Sequence, residues 1–248
     1  MIYEQLSKEC LNDSLLHSLI SGWAKSRAGD GVNLVHGVGH THCVFRGAIG
    51  GQSRDRESFY WQGAELTESA IKYHEGKHHY LSIFGNEDLP DSAISAAGYK
   101  LLFNELLMLR SDKHPPTKTK VPVKRVKDAK EAAWFNQQKG RIFILQDHLS
   151  DNGVYDFYTC NAGLLTSYAR AIHQDNLFIV DDVQTHPDYR RKGLASAMLA
   201  EIAVAASHAG AHAQVLIASE GGIPLYLREQ YEAVSPLRVF EYSVKAEG

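Results

Sequence analysis

The sequence predicts a mixed α/β protein built from two halves. Strand-like and helix-like segments alternate through the second half, which is typical of a sheet flanked by helices. The stretch Ser111–Val123 contains three prolines and three lysines and can continue neither a helix nor a central strand, so it predicts a linker. The chain has 248 residues, enough for one large domain or two small ones. We therefore expect an accessory α/β half at residues 1–116 and a second domain at residues 117–248.

Composition narrows the class of protein without indicating a chemistry. The apolar fraction of 44% and the charged fraction of 22% are ordinary for a soluble globular protein. The formal net charge of -3, and the lack of aromatic residues among the linker lysines, disfavour a nucleic-acid partner. Three cysteines without close pairing, an N-terminus without signal-peptide features and short apolar runs lead us to expect a cytoplasmic protein without a membrane partner.

The first half has a helical pattern followed by strand patterns. Apolar residues at helical spacing from Leu6 to Ile20 predict a helix that ends at Ser21-Gly22. Asp91 is expected to cap a short helix over Ser92–Ala97. Strands are expected at Val32–Val35, Cys43–Phe45, His79–Phe84 and, as a buried strand, Leu101–Leu109.

The second half has more regular patterns. Asp128 is expected to cap a helix over Ala129–Gln138, a second helix should span Leu194–Ala209, and a short helix should end near Gln230. Asn161-Ala162-Gly163 predicts a tight hairpin turn. Strands are expected at Val121–Val126, Tyr155–Cys160, Leu164–Ala171, Leu177–Val183, Val215–Ala218 and Val239–Val244.

One segment between a predicted strand and a predicted helix carries a chemical signal. The first turn of a helix presents unpaired N–H groups and a partial positive charge. Gly193 lets the backbone approach a ligand, Ala195 keeps the surface small, and three cationic side chains precede them. These features predict a cradle for an anion such as a pyrophosphate. The alternative on the residues alone is a strand–helix turn with a solvated basic face.

The same segment resembles the phosphate loop of the GNAT superfamily, the coenzyme-A-dependent N-acetyltransferases. The family pattern Arg/Gln-x-x-Gly-x-Gly/Ala stands here as Arg190-Arg191-Lys192-Gly193-Leu194-Ala195, preceded by His186-Pro187-Asp188-Tyr189. A downstream stretch is similar to a second family pattern at Leu225, Tyr226 and Tyr231, and departs from it at Ser219, Gly222 and Gln230. The resemblance covers about residues 117 to 245 and implies a mixed, mostly antiparallel sheet flanked by helices.

The resemblance also implies acetyl-CoA as co-substrate, no metal, and direct attack of an amine on the thioester within a ternary complex. Main-chain N–H at Val183 would stabilise the oxyanion, and Tyr226 would protonate the departing thiolate. The acceptor would be a small-molecule or peptide amine, and the protein a monomer or homodimer. The residues implied in CoA binding are Val183, Thr185, Arg190, Arg191, Lys192, Gly193, Leu194, Ala195, Ser196 and Ser219.

The general base stays open at the level of the sequence. Some family members carry a Glu twelve residues before the tyrosine, but this chain has Gln214 there, which cannot accept a proton. Asp181, Asp182, Glu220 and a water chain are the alternatives. We place Asp181 first among the side chains because strand alternation puts it on the same face as Val183.

Two other interpretations remain. A non-catalytic acyl-CoA sensor is favoured by Ser219 and Gln214, which replace family residues. A zinc hydrolase is suggested by His74-Glu75-Gly76-Lys77-His78, although Gly76 and the strand that follows disfavour the helix this pattern needs. The histidines at 36, 40 and 42 are interpreted as loop or strand-edge residues rather than metal ligands.

The first half lacks a phosphate loop, yet its ending is similar to the degenerate half-domains that precede the catalytic domain in some two-part GNAT proteins. Such a half would pack against the catalytic sheet and line the acceptor cleft. Phe59, Tyr60 and Trp61 are then candidates for substrate specificity.

Overall fold

The computed structural model describes residues 11–29, 31–46, 56–61, 78–85, 90–112 and 119–242. Within them, the strands are β1 (Val32–Gly37), β2 (His40–Phe45), β3 (Arg56–Tyr60), β4 (His79–Phe84), β5 (Lys100–Ser111), β6 (Lys124–Arg125), β7 (Val154–Asn161), β8 (Leu164–Gln174), β9 (Leu177–Thr185), β10 (Ala213–Ser219) and β11 (Glu232–Tyr242). The α-helices are α1 (Asp13–Ala28), α2 (Asp91–Ala96), α3 (Ala129–Lys139), α4 (Gln146–Ser150), α5 (Leu194–His208) and α6 (Ile223–Arg228). None of these helices is both long and apolar enough to cross a membrane.

All eleven described strands form one sheet, in the order β1-β2-β3-β4-β11-β5-β10-β9-β8-β7-β6. Neighbouring strands are antiparallel except for β3 with β4 and β9 with β10. The predicted fold class, a mixed and mostly antiparallel sheet flanked by helices, is therefore confirmed. β5 precedes the linker yet lies between β10 and β11, and β11 pairs with β4 of the first half. The sheet thus runs unbroken from one half to the other, and the boundary at residues 116 and 117 stays a prediction.

The helices cover two faces of this sheet and make two main cores. On one face, α1 buries apolar side chains against strands from both halves, including Phe59 of β3 and Ile179 of β9. On the other face, α5 and α6 pack over Phe178, Val180 and Leu216. Because α1 contacts β8 and β9 as well as β1 and β2, the first half of the chain lies directly against the strands that precede the predicted phosphate loop.

Helix α1 is longer than the sequence predicts. It runs through Gly22 to Ala28 and is followed by Gly29, whose φ is 54°. A β-carbon at Gly22 would lie 2.6 Å from Cδ1 of Ile179. The prediction that the helix ends at Ser21-Gly22 is wrong, because this glycine permits close helix-on-strand packing and does not end the helix.

Other boundaries differ because sheet pairing overrides local preference. The strand predicted at Val121–Val126 shrinks to Lys124–Arg125, since Pro122 offers no N–H for pairing. The last strand begins at Glu232 and not at Val239, and it carries Pro236 between β4 and β5 with a register shift nearby. Asp91 is the first residue of α2 and not its cap, a position taken by Pro90. The sequence patterns do not predict β3 and α4.

Several local predictions are confirmed in the second half. The Asp128 side chain accepts a hydrogen bond from the Glu131 amide at 2.9 Å at the start of α3, and Gly140 ends that helix in the left-handed region. The hairpin between β7 and β8 turns at Ala162 and Gly163, with φ of 49° and 83°. Two consecutive positive φ values are the signature of the tight turns that match the strand twist.

Candidate active site

The site begins where two parallel strands separate. β9 and β10 pair only between Leu177–Val180 and Ala213–Leu216. Beyond that point β9 continues to Thr185 and β10 to Ser219, and neither pairs with the other in this fully described part of the sheet. Main-chain polar groups need partners when they are buried. The facing edges of the two strands therefore present N–H and C=O groups to a gap that a ligand can enter.

A β-bulge shapes the β9 side of this gap. Tyr168 of β8 pairs with Gln184 and Arg170 pairs with Asp181, so two residues of β9 stand opposite one of β8. Asp182 lies in the bulge with a φ of 51°. A bulge inserts one residue and reverses the alternation of side chains beyond it.

The reversal overturns one prediction. Asp181 contacts α1, whereas Val183 packs into the core beneath α5 and α6 on the opposite face. The expectation that Asp181 and Val183 share a face is therefore wrong, because the bulge at Asp182 breaks the period of two.

A cavity of about 270 Å³ lies at the strand gap and is bordered by α1. It draws its lining from both halves of the chain: from α1, β3, β4, β5 and β11 as well as from β9, β10 and α6. The lining residues used below are Trp23, Arg27, Glu57, Phe59, Ser82, Phe103, Glu105, Asp181, Asp182, Val183, Ser219 and Tyr226.

Arg27 of α1 binds both aspartates of the bulge. Its Nη1 lies 3.0 Å from Oδ2 of Asp182 and its Nη2 lies 3.1 Å from Oδ1 of Asp181. The Ser26 hydroxyl donates to the other oxygen of Asp181 at 2.9 Å. Burial, and then the charge of Asp181, raise the pKa of Asp182. Although burial opposes it, the charges of Asp181, Asp182 and Glu57 raise the pKa of Arg27.

Tyr226 lies in α6 at the other side of the gap. Its side chain is 8% exposed and contacts the ring of Tyr231 edge-on at 5.7 Å. Burial, followed by the charges of Asp181 and Asp182, raises the pKa of Tyr226 to about 12, so the phenol keeps its proton at neutral pH. A β-carbon at Gly222 would lie 2.9 Å from Cε2 of this ring, so the glycine leaves the ring its space.

The loop from β9 to α5 has the backbone that the sequence predicts for an anion cradle. After a 3-10 turn at Pro187–Tyr189, Arg191 and Gly193 have φ of 60° and 76°. A β-carbon on Gly193 would meet no atom within 4 Å, so the described residues leave open space over the first turn of α5. This 15-residue helix presents its unpaired N–H groups there.

Two side chains of the loop donate hydrogen bonds to main-chain carbonyls nearby. Arg190 donates from Nε to the Thr185 carbonyl at 3.3 Å, and Lys192 donates from Nζ to the Asp188 carbonyl at 3.0 Å. The Ser196 hydroxyl accepts a hydrogen bond from Arg228. Because these loop cations are exposed, a ligand can still recruit them.

The structure brings together only some of the predicted site residues. Val183, Ser219, Tyr226 and Asp181 line the cavity, as does Phe59. Thr185 and Arg190 border a second cavity of about 350 Å³, next to Lys139 and His186.

Other candidates lie elsewhere. Gln214 is buried and accepts a hydrogen bond from the Tyr231 hydroxyl at 2.8 Å, while Glu220 is exposed in the turn after β10. Tyr60 packs in a separate core cluster, and the Trp61 indole donates to Asp13 at 2.6 Å.

The sequence does not predict three charged residues of the cavity, Arg27, Glu57 and Glu105. Each comes from a segment before the linker, and none belongs to a recognisable motif. They come together only in the folded chain, where α1, β3 and β5 line one cavity with β9.

Several of the described histidines form hydrogen bonds with other side chains. His36 hydrogen bonds to Thr41 at 2.9 Å and His42 to Ser58 at 2.7 Å. His78 pairs with Glu241 at 2.7 Å, and the rest of the His-Glu-x-x-His pattern, residues 74–77, lies outside the described residues. No group of three metal-ligating side chains occurs among the residues that the structure describes.

Comparison with known proteins agrees with this geometry. The model of the acetyltransferase (GNAT) family matches residues 109–230. A GCN5-related N-acetyltransferase from Kribbella flavida is similar over 94% of this chain and 96% of its own, with a TM-score of 0.63 and 14% identity. A GCN5-related N-acetyltransferase-like protein from Streptococcus suis covers 93% of this chain and 98% of its own, with a TM-score of 0.59 and 14% identity.

A tandem GNAT protein from the clavulanic acid biosynthesis pathway is similar over 84% of both chains, with a TM-score of 0.55 and 11% identity. No curated protein sequence matches the chain. At these identities the solved structures establish the fold, and they do so for the first half as well as the second. Residues 109–230 thus form a domain of the GNAT acetyltransferase family, set in a chain that has a GNAT-type fold over most of its length.

Proposed function

We propose that the protein transfers an acetyl group from acetyl-CoA to an amine by direct attack within a ternary complex. The observation that carries the proposal is the gap between β9 and β10, with the anion cradle at one end and Tyr226 across it. A gap of this kind admits an extended thioester arm and exposes its carbonyl to a second substrate on the α1 face.

The donor would be bound mostly by main-chain groups. The pyrophosphate fits the start of α5, where Arg191 to Ser196 provide amides and the three loop cations provide charge. The pantetheine arm would run along Val183 and Thr185, with Ser219 on the facing strand. The Val183 N–H would then donate to the thioester oxygen as it becomes negative.

The chemistry requires one bond to form and one to break. The amine nitrogen attacks the thioester carbon, the C–S bond breaks, and the nitrogen loses a proton. Both aspartates of the bulge contact Arg27, but burial raises the pKa of Asp182, whereas Asp181 also accepts a hydrogen bond from Ser26. Asp182 is therefore the better proton acceptor of this pair. A bridging water could complete the path from the amine.

Tyr226 would assist the leaving group by hydrogen bonding. A thiol of the cysteine type has a pKa of about 8.5, well below the value of about 12 for this phenol. The phenol would therefore keep its proton while it donates a hydrogen bond to the departing sulfur.

Two glycines at the ends of α5 allow a matched test of donor binding. Gly193 and Gly210 have φ of 76° and 72°, and a β-carbon at either would meet no atom within 4 Å. Gly193→Trp and Gly210→Trp should therefore strain the backbone similarly. We expect calorimetry to show acetyl-CoA binding weakened at least tenfold in Gly193→Trp and nearly unchanged in Gly210→Trp. Equal binding in both variants would contradict the proposed cradle.

A non-catalytic acyl-CoA sensor is the second candidate. The buried amide of Gln214, bound by Tyr231, favours it because some family members carry a carboxylate at this position. Measuring the release of free CoA thiol separates the two functions. Release that depends on an added amine supports transfer, whereas tight acetyl-CoA binding without release on any amine supports the sensor.

We also propose that the enzyme works in the cytoplasm. The described cysteines, Cys43 and Cys160, are free thiols, which fits a reducing compartment.

A further inference from the structure

We infer that the amine acceptor carries a second positive charge, as a short diamine or polyamine does. This inference rests on the proposed acetyl transfer and specifies the substrate class of the same cavity. It comes from the charge, the curvature and the aromatic residues of the lining, which belong mainly to the first half of the chain.

The cavity wall is strongly acidic. Among the described residues that line it, Glu57, Glu105, Asp181 and Asp182 contribute four carboxylates, and Arg27 contributes one guanidinium. The formal excess is three negative charges in a space of about 270 Å³. The whole chain has a formal net charge of only -3, so the acidity is concentrated where an acceptor would sit. A cation entering this space would relieve the repulsion between the carboxylates.

The carboxylates converge from strands that are far apart in the sheet order. β3, which carries Glu57, lies five positions from β9, which carries the bulge pair. A flat sheet would separate these strands by roughly 24 Å at the usual spacing. Nevertheless, Phe59 of β3 and Ile179 of β9 pack in one core cluster with α1, and Glu57 lines the same cavity as Asp181 and Asp182. The sheet therefore curls around α1 and brings a buried glutamate towards the reaction centre.

Arg27, the one arginine or lysine among the described lining residues, contacts the aspartates at one end of the cavity. Arg27 uses Nη1 for Asp182 and Nη2 for Asp181. Glu105 lies on β5 opposite Ser219, on the far side of the strand gap from those two aspartates. A diamine could therefore place its reacting nitrogen near Tyr226 and the bulge pair while its second ammonium group approaches Glu105 or Glu57.

Aromatic side chains of the lining also favour an organic cation. Trp23 of α1, Phe59 of β3 and Phe103 of β5 all line the cavity. Phe103 is 54% exposed, so part of its ring is open to solvent. Ring faces attract ammonium groups, and ring edges pack against methylene chains. An alkyl diamine offers both kinds of group.

Three acceptors of equal chain length test the inference: 1,4-diaminobutane, butylamine and 4-aminobutanoate. They present a second positive charge, no second charge and a negative charge, respectively. With acetyl-CoA present, we expect kcat/KM at least tenfold higher for the diamine than for butylamine, and lowest for 4-aminobutanoate. The advantage of the diamine should shrink as salt rises, because screening weakens attraction between charges.

A pair of variants tests whether Glu105 causes the preference for the diamine. Glu105→Gln should lower kcat/KM for the diamine several-fold and leave that for butylamine unchanged. Glu232→Gln changes an exposed glutamate on β11 outside the cavity lining and should alter neither value.

Two outcomes would overturn the inference: equal use of butylamine and the diamine, or acetylation of butylamine without acetylation of the diamine. Loss of the proposed function is distinguishable, because it would appear as failure to bind acetyl-CoA or as bound acetyl-CoA without thiol release on any of the three acceptors.

Discussion

The two halves of the chain contribute to the same cleft in different ways. In the proposed function, the second half would provide the donor side from a short stretch of sequence: the end of β9, the loop and the start of α5 all lie within residues 177–208. The first half would provide most of the acceptor side from scattered positions on α1, β3, β4 and β5. Donor binding would then use backbone geometry that a motif encodes locally, whereas acceptor selection would use side chains that only the folded sheet brings together.

Hydrogen bonds and ion pairs connect the two halves of the chain. Arg170 of β8 is 2% exposed and donates to Asp156 at 2.7 Å, to the Ser26 carbonyl at 2.6 Å and to the Phe143 carbonyl at 2.9 Å. Ser26 and Arg27, its neighbour in α1, bind the bulge pair. One buried network therefore links the position of α1 to the geometry of the active cleft.

Removing Arg170 should have the largest effect on the connection between the halves. Arg170→Met would leave the Asp156 carboxylate buried without this partner, and burial already raises the pKa of Asp156. Loss of one member of a buried ion pair typically costs about 3–5 kcal/mol. Denaturant titration should show a loss of this size. The double variant Arg170→Met/Asp156→Leu should recover part of it, and a single variant as stable as the wild type would refute the role of the network.

Removing Arg27 should alter the chemistry of the cleft more than its stability. Arg27 lowers the pKa of Asp182, so in Arg27→Met this pKa should rise further. If Asp182 is the base, it must be ionised, and activity is lost as pH falls through its pKa. The acid limb of the kcat/KM profile should therefore move to higher pH, and kcat/KM at neutral pH should fall.

Arg238→Met is the matched control for Arg27. Arg238 pairs with Asp91 and does not line the cavity. The kcat/KM profile of Arg238→Met against pH should match that of the wild type. An unshifted profile in Arg27→Met would show that the first half does not tune the bulge pair.

Two adjacent glycines test the position of Tyr226 in the second half. A β-carbon at Gly222 would lie 2.9 Å from the Tyr226 ring, whereas one at Gly221 would meet nothing within 4 Å. We expect Gly222→Ala to displace the ring and lower kcat several-fold, with little change in the KM for acetyl-CoA. Gly221→Ala should retain wild-type kcat. Similar kcat values in both variants would argue against a role for the placement of the ring.

The smallest expected effect is a gain in stability after α6. Gln230 has a φ of 67°, a left-handed conformation that costs a side-chain-bearing residue roughly 1–2 kcal/mol. Gln230→Gly removes this strain and adds some unfolded-state entropy, for a net gain of about 0.5–1 kcal/mol by thermal unfolding. Gln230→Ala keeps the strain and should show no gain.

The contrast between the halves also explains what the sequence could predict. Asp128, the Asn161–Gly163 turn and the loop at Gly193 act through local rules, and the structure agrees with each of them. The sequence does not show why a glycine stands at position 22, because the cause is its close contact with Ile179, a residue far along the chain. The bulge at Asp182 has no glycine to mark it, so alternation placed Val183 on the wrong face.

The acceptor side depends on pairings across long sequence separations. β5, which precedes the linker, pairs with both β10 and β11, and this pairing brings Glu105 beside Ser219. β11, which follows the linker, pairs in turn with β4 of the first half. Local propensity does not encode such pairing. The sequence therefore predicts the donor and the reaction class and leaves the acceptor open.

The most direct test of acetyl transfer at this cleft is CoA release by the wild type and Tyr226→Phe. We predict amine-dependent thiol release by the wild type. Tyr226→Phe should bind acetyl-CoA with unchanged affinity yet release thiol at least tenfold more slowly, because the departing sulfur loses its hydrogen-bond donor. If bound acetyl-CoA gives no amine-dependent release, or if Tyr226→Phe turns over at the wild-type rate, the account is contradicted.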